Sequence, residues 1–194
     1  MRMTEAEFVD WCDEDTWAEW VDGEVIIMSP VNVPHGQITS FLVHLLRAFV
    51  EEHDLGQILL EPVQLRFEQQ RSRRSPDIFF LSHEREHQIR DVHIEGAPDL
   101  IVEIISPNSQ SRDRREKFLE YQSAGVREYW IVDPLSSTIE AYTLAKNKKL
   151  QPILPQADRI ASLVLSGFYL KPAWLFGAKF PRVSALLREM ARKR

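Results

Sequence analysis

Two acids sit where a soluble chain seldom places them. Glu103 lies inside PDLIVEIISP (residues 98–107), with apolar residues on either side. Asp77 opens a shorter copy of the pattern, PDIFFL (residues 76–81). Side chains alternate along a strand, so Asp99, Ile101, Glu103 and Ile105 share one face, and Leu100, Val102 and Ile104 the other. In the shorter segment Asp77 goes with Phe79 and Leu81. If the two strands are neighbours, Asp77 and Glu103 converge. A lone buried carboxylate costs several kcal/mol or takes up a proton. Two close carboxylates repel, and a cation between them removes the conflict. Ligands that are all oxygen favour Mg2+ or Mn2+ over zinc. A nearby lysine would complete a site that polarises a phosphate and stabilises the charge growing in a transition state. Asp99 has a simpler use, since Asp after Pro at a strand entry bonds local backbone amides.

The elements that must position these acids are legible in outline. Thr4 to Glu7 forms a capping box for a short helix to about Asp13, with Phe8 and Trp11 on one face. AEWVDGEVIIMSP reads as a hairpin turning at Asp22-Gly23, with Glu24 a turn-edge carboxylate. From Pro34 to His53 the apolar residues Ile38, Phe41, Leu42, Leu45, Leu46 and Phe49 follow helical spacing. Pro34 suits the first turn, and Gly56 lies just past the end. Strands are expected over 57–67, 76–81 and 98–106, with EQQRSRR as a basic turn. SHEREHQIRDVHIEGA is expected as a surface excursion with solvated His83, His87 and His93. A helix over 111–124, ended by Gly125, leads to strands at REYWIVDP and 138–144, with Tyr129 and Trp130 in the core. Short strands, GFYLKPAWLFG (an interface or core) and a C-terminal helix complete the chain. Strand, strand, strand, helix, strand implies an α/β fold with a mixed central sheet and flanking helices.

Composition narrows the classes. The 194 residues suit one domain over 1–194, with a core over about 18–145 and an appended C-terminal region. No apolar run approaches the roughly 18–20 residues of a membrane span. The acidic N-terminus lacks the apolar stretch of a signal peptide. The single Cys12 fits a reducing cytoplasm, and its acidic surroundings make it a poor nucleophile. Net charge is -5, but residues 1–24 hold nine acids and one base, so the remainder stands at +3. That balance weighs against a general nucleic-acid binder yet leaves room for local basic patches. Arg71, Arg73, Arg74 and Arg112, Arg114, Arg115 flank the acid-bearing strands and are candidate phosphate contacts. There is no glycine-rich phosphate loop and no GxSxG elbow.

An acid after proline at a strand, followed by an acid inside the next apolar strand, resembles the PD-(D/E)XK nuclease superfamily. VDGEVIIMSP followed by His35, SPDIFFL, and PDLIVEIISPNSQSRDRREKFLEYQSAGVREYWIVDP together resemble the Uma-type family of restriction endonucleases. The resemblance covers roughly residues 18–145. It implies a restriction-endonuclease-like core and a metal, Mg2+ or Mn2+, held by Asp77 and Glu103. It also implies endonucleolytic hydrolysis of phosphodiester bonds, DNA above all. The superfamily lysine belongs two residues after the second acid, where this chain has Ile105. The Uma-type pattern instead takes a lysine from the next helix, here Lys117; an ordinary surface pair with Asp113 is the competing use. Glu24 and His35 stand near the same site in the family, as a further metal contact and a substrate-binding residue. Cutting both strands of a duplex is easier with two active sites, which suggests a homodimer or higher homo-oligomer. The rival reading is a catalytically inactive interaction module that keeps the nuclease fold.

Overall fold

Leu100–Ile104 is a strand buried on both faces, and the surrounding elements are arranged to cover it. The computed structural model describes residues 1–13, 15–106 and 112–192, the side chains of Arg112 and Asp113 excepted. In chain order, helix α1 (Glu5–Trp11) leads to the hairpin β1 (Ala18–Val21) and β2 (Glu24–Ile27). The long helix α2 (Val33–Glu52) follows, then β3 (Gly56–Leu60), β4 (Gln64–Phe67), β5 (Ser72–Arg74) and β6 (Ile78–Ser82). A 3-10 turn over His83–Gln88 precedes β7 (His93–Glu95) and β8 (Leu100–Ile104). A π-helical turn (Arg112–Lys117) opens α3 (Phe118–Ala124), and β9 (Glu128–Asp133), β10 (Thr138–Leu144) and β11 (Leu150–Pro152) come next. The pair β12 (Ile160–Ala161) and β13 (Tyr169–Leu170), with helices α4 (Pro172–Phe176) and α5 (Val183–Ala191), completes the described chain.

The strands form two mixed sheets and a small ribbon. The larger sheet has the order β11-β10-β9-β8-β6-β3, with β8 parallel to β9 and antiparallel to β6. The smaller has the order β2-β1-β5-β4-β7. Alternation along β8 sends Leu100, Val102 and Ile104 into one apolar cluster with α2, α4 and α5. Ile101 and Ile105 enter a second cluster with Phe79, Leu81, Tyr121 and Tyr129. Helix α2 buries Ile38, Phe41, Leu42, Leu45, Leu46, Phe49 and Val50, each contributing roughly 1.5–3 kcal/mol of apolar burial. Asn32 caps its N-terminus by accepting from the His35 amide, which sets His35 in the first turn. The Thr4–Glu7 capping box is present, and the Asp22-Gly23 turn has φ of 45° and 89°, as a tight hairpin requires.

Several expectations need correction. The strand expected over 57–67 is two strands in different sheets, parted at Pro62, which has no amide for a ladder. Of the expected basic turn EQQRSRR, residues 68–71 do turn, but SRR is the buried strand β5, held by ion pairs that span the sequence. Gly56 does not cap α2. It opens β3 at φ 139°, where a Cβ would lie 2.2 Å from the Leu81 carbonyl oxygen. The GFYLKPAWLFG segment is core, since Phe168, Tyr169, Leu170, Trp174 and Leu175 are buried. The helix expected from Ser111 begins outside the described residues, and its first described turn is π-helical.

Candidate active site

The two strands that carry the acids are neighbours, and the register brings the acids together. Ile78 pairs with Val102 across β6 and β8, so the next position outward sets Asp77 opposite Glu103. Asp77 reaches across: its Oδ2 accepts from the Ile104 amide at 2.6 Å. Its Oδ1 meets His35 Nε2 at 3.3 Å. Glu103 Oε1 accepts from Lys117 Nζ at 2.8 Å and from the Tyr121 hydroxyl at 2.7 Å. All five side chains are buried.

Lys117 ends the π-helical turn, and Tyr121 lies four residues on, on the same helical face. Single π turns inside helices recur at functional sites. Here the turn delivers an ammonium to Glu103 from outside the strand. Ile105, on the strand face that Glu103 occupies, is packed in the second apolar cluster.

Three further groups complete the surroundings. Glu19, on β1 of the other sheet, is fully buried, with Oε1 3.7 Å from Lys117 Nζ. It accepts from Arg74 Nη1 at 2.9 Å and from the Ser75 amide at 3.1 Å. Burial alone would raise its pKa, but the Lys117 and Arg74 charges outweigh burial and hold it below the ordinary carboxylate value. Glu61, after β3, is pushed up to about 7, first by burial and then by the Asp77 charge. His35 is raised: burial opposes its charge, but the hydrogen bond and charge of Asp77 prevail, with Glu61 adding to them. Burial, then the Glu103 and Glu19 charges, push Tyr121 well above its ordinary value, so it is a neutral donor. Asp77, Glu103, Glu19 and Glu61 face Lys117 and an Arg74 that is shared with Glu120.

Glu61 also borders two recesses. One, of about 700 Å³, runs beside α2 past His35, Thr39, Ser40, His44 and Arg47. The other, of about 610 Å³, is lined by Phe8, Trp17, Gln64 and Arg73 on the side of the smaller sheet.

Not every candidate joins the cluster. Glu24 is exposed at the turn end of β2, opposite Val21; the hairpin acid that meets Lys117 is Glu19. Its signal was an acid flanked by buried Ala18 and Trp20, the same signature as Glu103. Arg74 is 1% exposed and gripped by Glu19 and Glu120, so it does not reach a phosphate. Arg73 is buried, with Nε on Glu5 at 2.9 Å. Arg114 binds Asp133 at 2.9 Å and Glu140 at 2.7 Å. Arg71 pairs with Asp22 on the surface, and Arg115 is exposed. The side chain of Arg112 lies outside the described residues, as does that of Asp113. Asp99 is a structural anchor, accepting from the Ser82 amide and from Arg85 and Arg127. Burial, and then Asp13, raise the Cys12 thiol.

A family model described as "Uma2: Putative restriction endonuclease" matches residues 5–173. The chain belongs to the Uma2 family. A crystal structure described as a putative nuclease belonging to DUF820, from Anabaena variabilis, superimposes with a TM-score of 0.74 at 22% identity. The match covers 90% of this chain and 97% of that one. A relative from Synechocystis sp., "Uncharacterized protein sll1609", is 23% identical over 142 residues, 72% of this chain and 80% of its own length. This Uma2 member therefore shares that protein's fold, with mixed sheets flanked by helices. Among the described residues no helix is long and apolar enough to cross a membrane.

Proposed function

We propose that this Uma2 protein is a cytoplasmic, metal-dependent endonuclease that hydrolyses phosphodiester bonds in DNA. The observation that carries the reading is the meeting of Asp77, Glu103 and Lys117. Opposed carboxylates on neighbouring strands have an ammonium 2.8 Å from one of them.

The donor set fits a small hard cation. Among the described residues no three His, Cys, Asp or Glu side chains converge as ligands. The set we propose is two carboxylates, Asp77 and Glu103, with a main-chain carbonyl beside Glu103 and water. Mg2+ is bound in this way, through one or two carboxylates and retained waters. Burial first, and then the Asp77 charge, raise the pKa of Glu61, and a cation beside Asp77 would relieve that repulsion. When bound, the ion supplies Lewis-acid polarisation of the phosphate and offsets the charge of the transition state.

The protein's own groups do the rest. Asp77 is oriented by the Ile104 amide and His35, and Glu103 by Tyr121. Lys117 donates to the attacking water and carries positive charge beside the phosphate oxygens. Water adds to phosphorus and gives up a proton to solvent as the ester P–O bond breaks, and the leaving oxygen takes a proton from solvent, so the products are a phosphomonoester and an alcohol. The five side chains are buried, which limits competing solvent, so these charges act at lower dielectric.

Purified protein with Mg2+ or Mn2+ is expected to cut plasmid or oligonucleotide DNA, to stop on chelation, and to lose the activity in Glu103→Ala. Failure to cut any DNA under these conditions would refute the reading, and cleavage confined to RNA would refute its substrate.

A further inference from the structure

Glu19 belongs to the hairpin of the smaller sheet, yet its carboxylate ends beside a lysine of the larger sheet's flanking helix. It is fully buried and fixed from two directions, with Oε2 on Arg74 at 2.9 Å and Oε1 on the Ser75 amide at 3.1 Å. Arg74 cannot swing away with it. Its Nε and Nη2 are held by Glu120 at 3.0 and 2.5 Å, and Ser72 also bonds Glu120. Arg74 already has one acid partner in Glu120. A second buried carboxylate there is costly, so charge balance with Arg74 alone does not account for Glu19. Among the described residues the second cation beside it is Lys117, 3.7 Å away.

We propose that Glu19 is a positioning residue. It holds the Lys117 ammonium beside the reacting phosphate when Glu103 is engaged with the metal ion. The inference rests on the nuclease reading above. Lys117 now donates to Glu103 Oε1, the carboxylate assigned to the cation. A dication on Glu103 repels the ammonium and takes up much of the negative charge that attracts it. The contact with Glu103 that positions Lys117 would thus be weakened just when the ammonium is needed. Glu19 supplies a negative charge that the metal does not share, because its oxygens are committed to Arg74 and the Ser75 amide. The smaller sheet thereby takes part in the active site through one side chain.

Glu19→Gln keeps the size and the acceptor for Arg74 while removing the charge. It is expected to lower kcat by about 10²-fold, the scale of a misplaced catalytic group, with KM within about threefold. The decisive comparison is a double-mutant cycle under single-turnover conditions. In a Lys117→Met background, Glu19→Gln is expected to cost nothing further, since it acts through the missing lysine. Calorimetric Mn2+ binding is expected to change by less than about threefold, because Glu19 is not a ligand. If Glu19→Gln does not fold, Glu19→Asp withdraws the carboxylate while keeping its charge, and the same cycle and titration apply. An unchanged kcat, an equal loss with and without Lys117, or a tenfold loss of Mn2+ affinity would each overturn the proposal. If the wild type cuts no nucleic acid, the nuclease reading fails and takes this inference with it. If the wild type cuts and the cycle is additive, only the role of Glu19 fails.

Discussion

Replacing Glu61 by glutamine should stabilise the protein, and only above mildly acidic pH. Glu61 is partly buried beside Asp77, and its carboxyl is pushed up to about 7 from an ordinary value of 4.5. The folded protein therefore keeps a proton on Glu61 over a range where the unfolded chain has lost it. This contribution is fully present below about pH 4.5, is lost as pH rises towards 7, and is level above that. A difference of about 2.5 units at about 1.36 kcal/mol each gives an upper bound of about 3 kcal/mol. Water at the open side of the residue lowers it, so about 1–3 kcal/mol is the working range. Glutamine does not titrate and fills the same space. In a chain of this size each kcal/mol moves the melting temperature by roughly 2–4 °C. Thermal melts at pH 8 should show Glu61→Gln melting several degrees above wild type, and melts at pH 4.5 should show no gain. Mg2+ should narrow the difference at pH 8, since a cation near Asp77 relieves the same repulsion. A difference that is constant across pH, or a variant less stable at pH 8, would refute the reasoning.

Arg74→Met leaves the buried Glu19 and the part-buried Glu120 without their shared cation. Chemical denaturation should report a loss of about 3–5 kcal/mol, and a loss below about 1 kcal/mol would show that the fork is not a charge clamp. Glu24→Gln, on the exposed end of β2, should leave Mn2+ affinity and DNA cleavage within about twofold of wild type; a tenfold loss would put Glu24 back at the site. Asp99→Asn weakens an anchor made to a backbone amide and two arginines. It should cost about 1.5–3 kcal/mol of stability while calorimetry shows unchanged metal binding, and lost metal binding would contradict its structural role.

The sequence patterns that proved legible are local. Alternation through Leu100–Ile104 assigned each side chain to its face, and the two apolar clusters follow that assignment. The Asp22-Gly23 turn, the Thr4 capping box and the apolar stripe of α2 depend on residues a few positions apart. What escaped depends on contacts across the sequence. Ser72–Arg74 looks like a basic turn because Glu19 and Glu120, which neutralise Arg74, lie 55 and 46 residues away. Glu61 precedes a proline, which reads as a loop, and nothing local shows that the loop ends against Asp77. Asp77 and Glu103 could be paired on paper because both interrupt apolar strands. Choosing Glu19 over Glu24 required knowing which hairpin strand lies inside, and the burial of Ala18 and Trp20 decides that. His35 is placed by its Asn32 cap, but its contact with Asp77 joins a helix start to a strand 42 residues on.

The central claim is that Asp77 and Glu103 together hold a divalent cation. Isothermal titration of wild-type protein with Mn2+, repeated with Asp77→Asn and Glu103→Gln, tests it most directly. Saturable binding in the wild type that is lost in both variants is the expected result. An absence of binding in the wild type, or binding that survives both substitutions, would contradict the account.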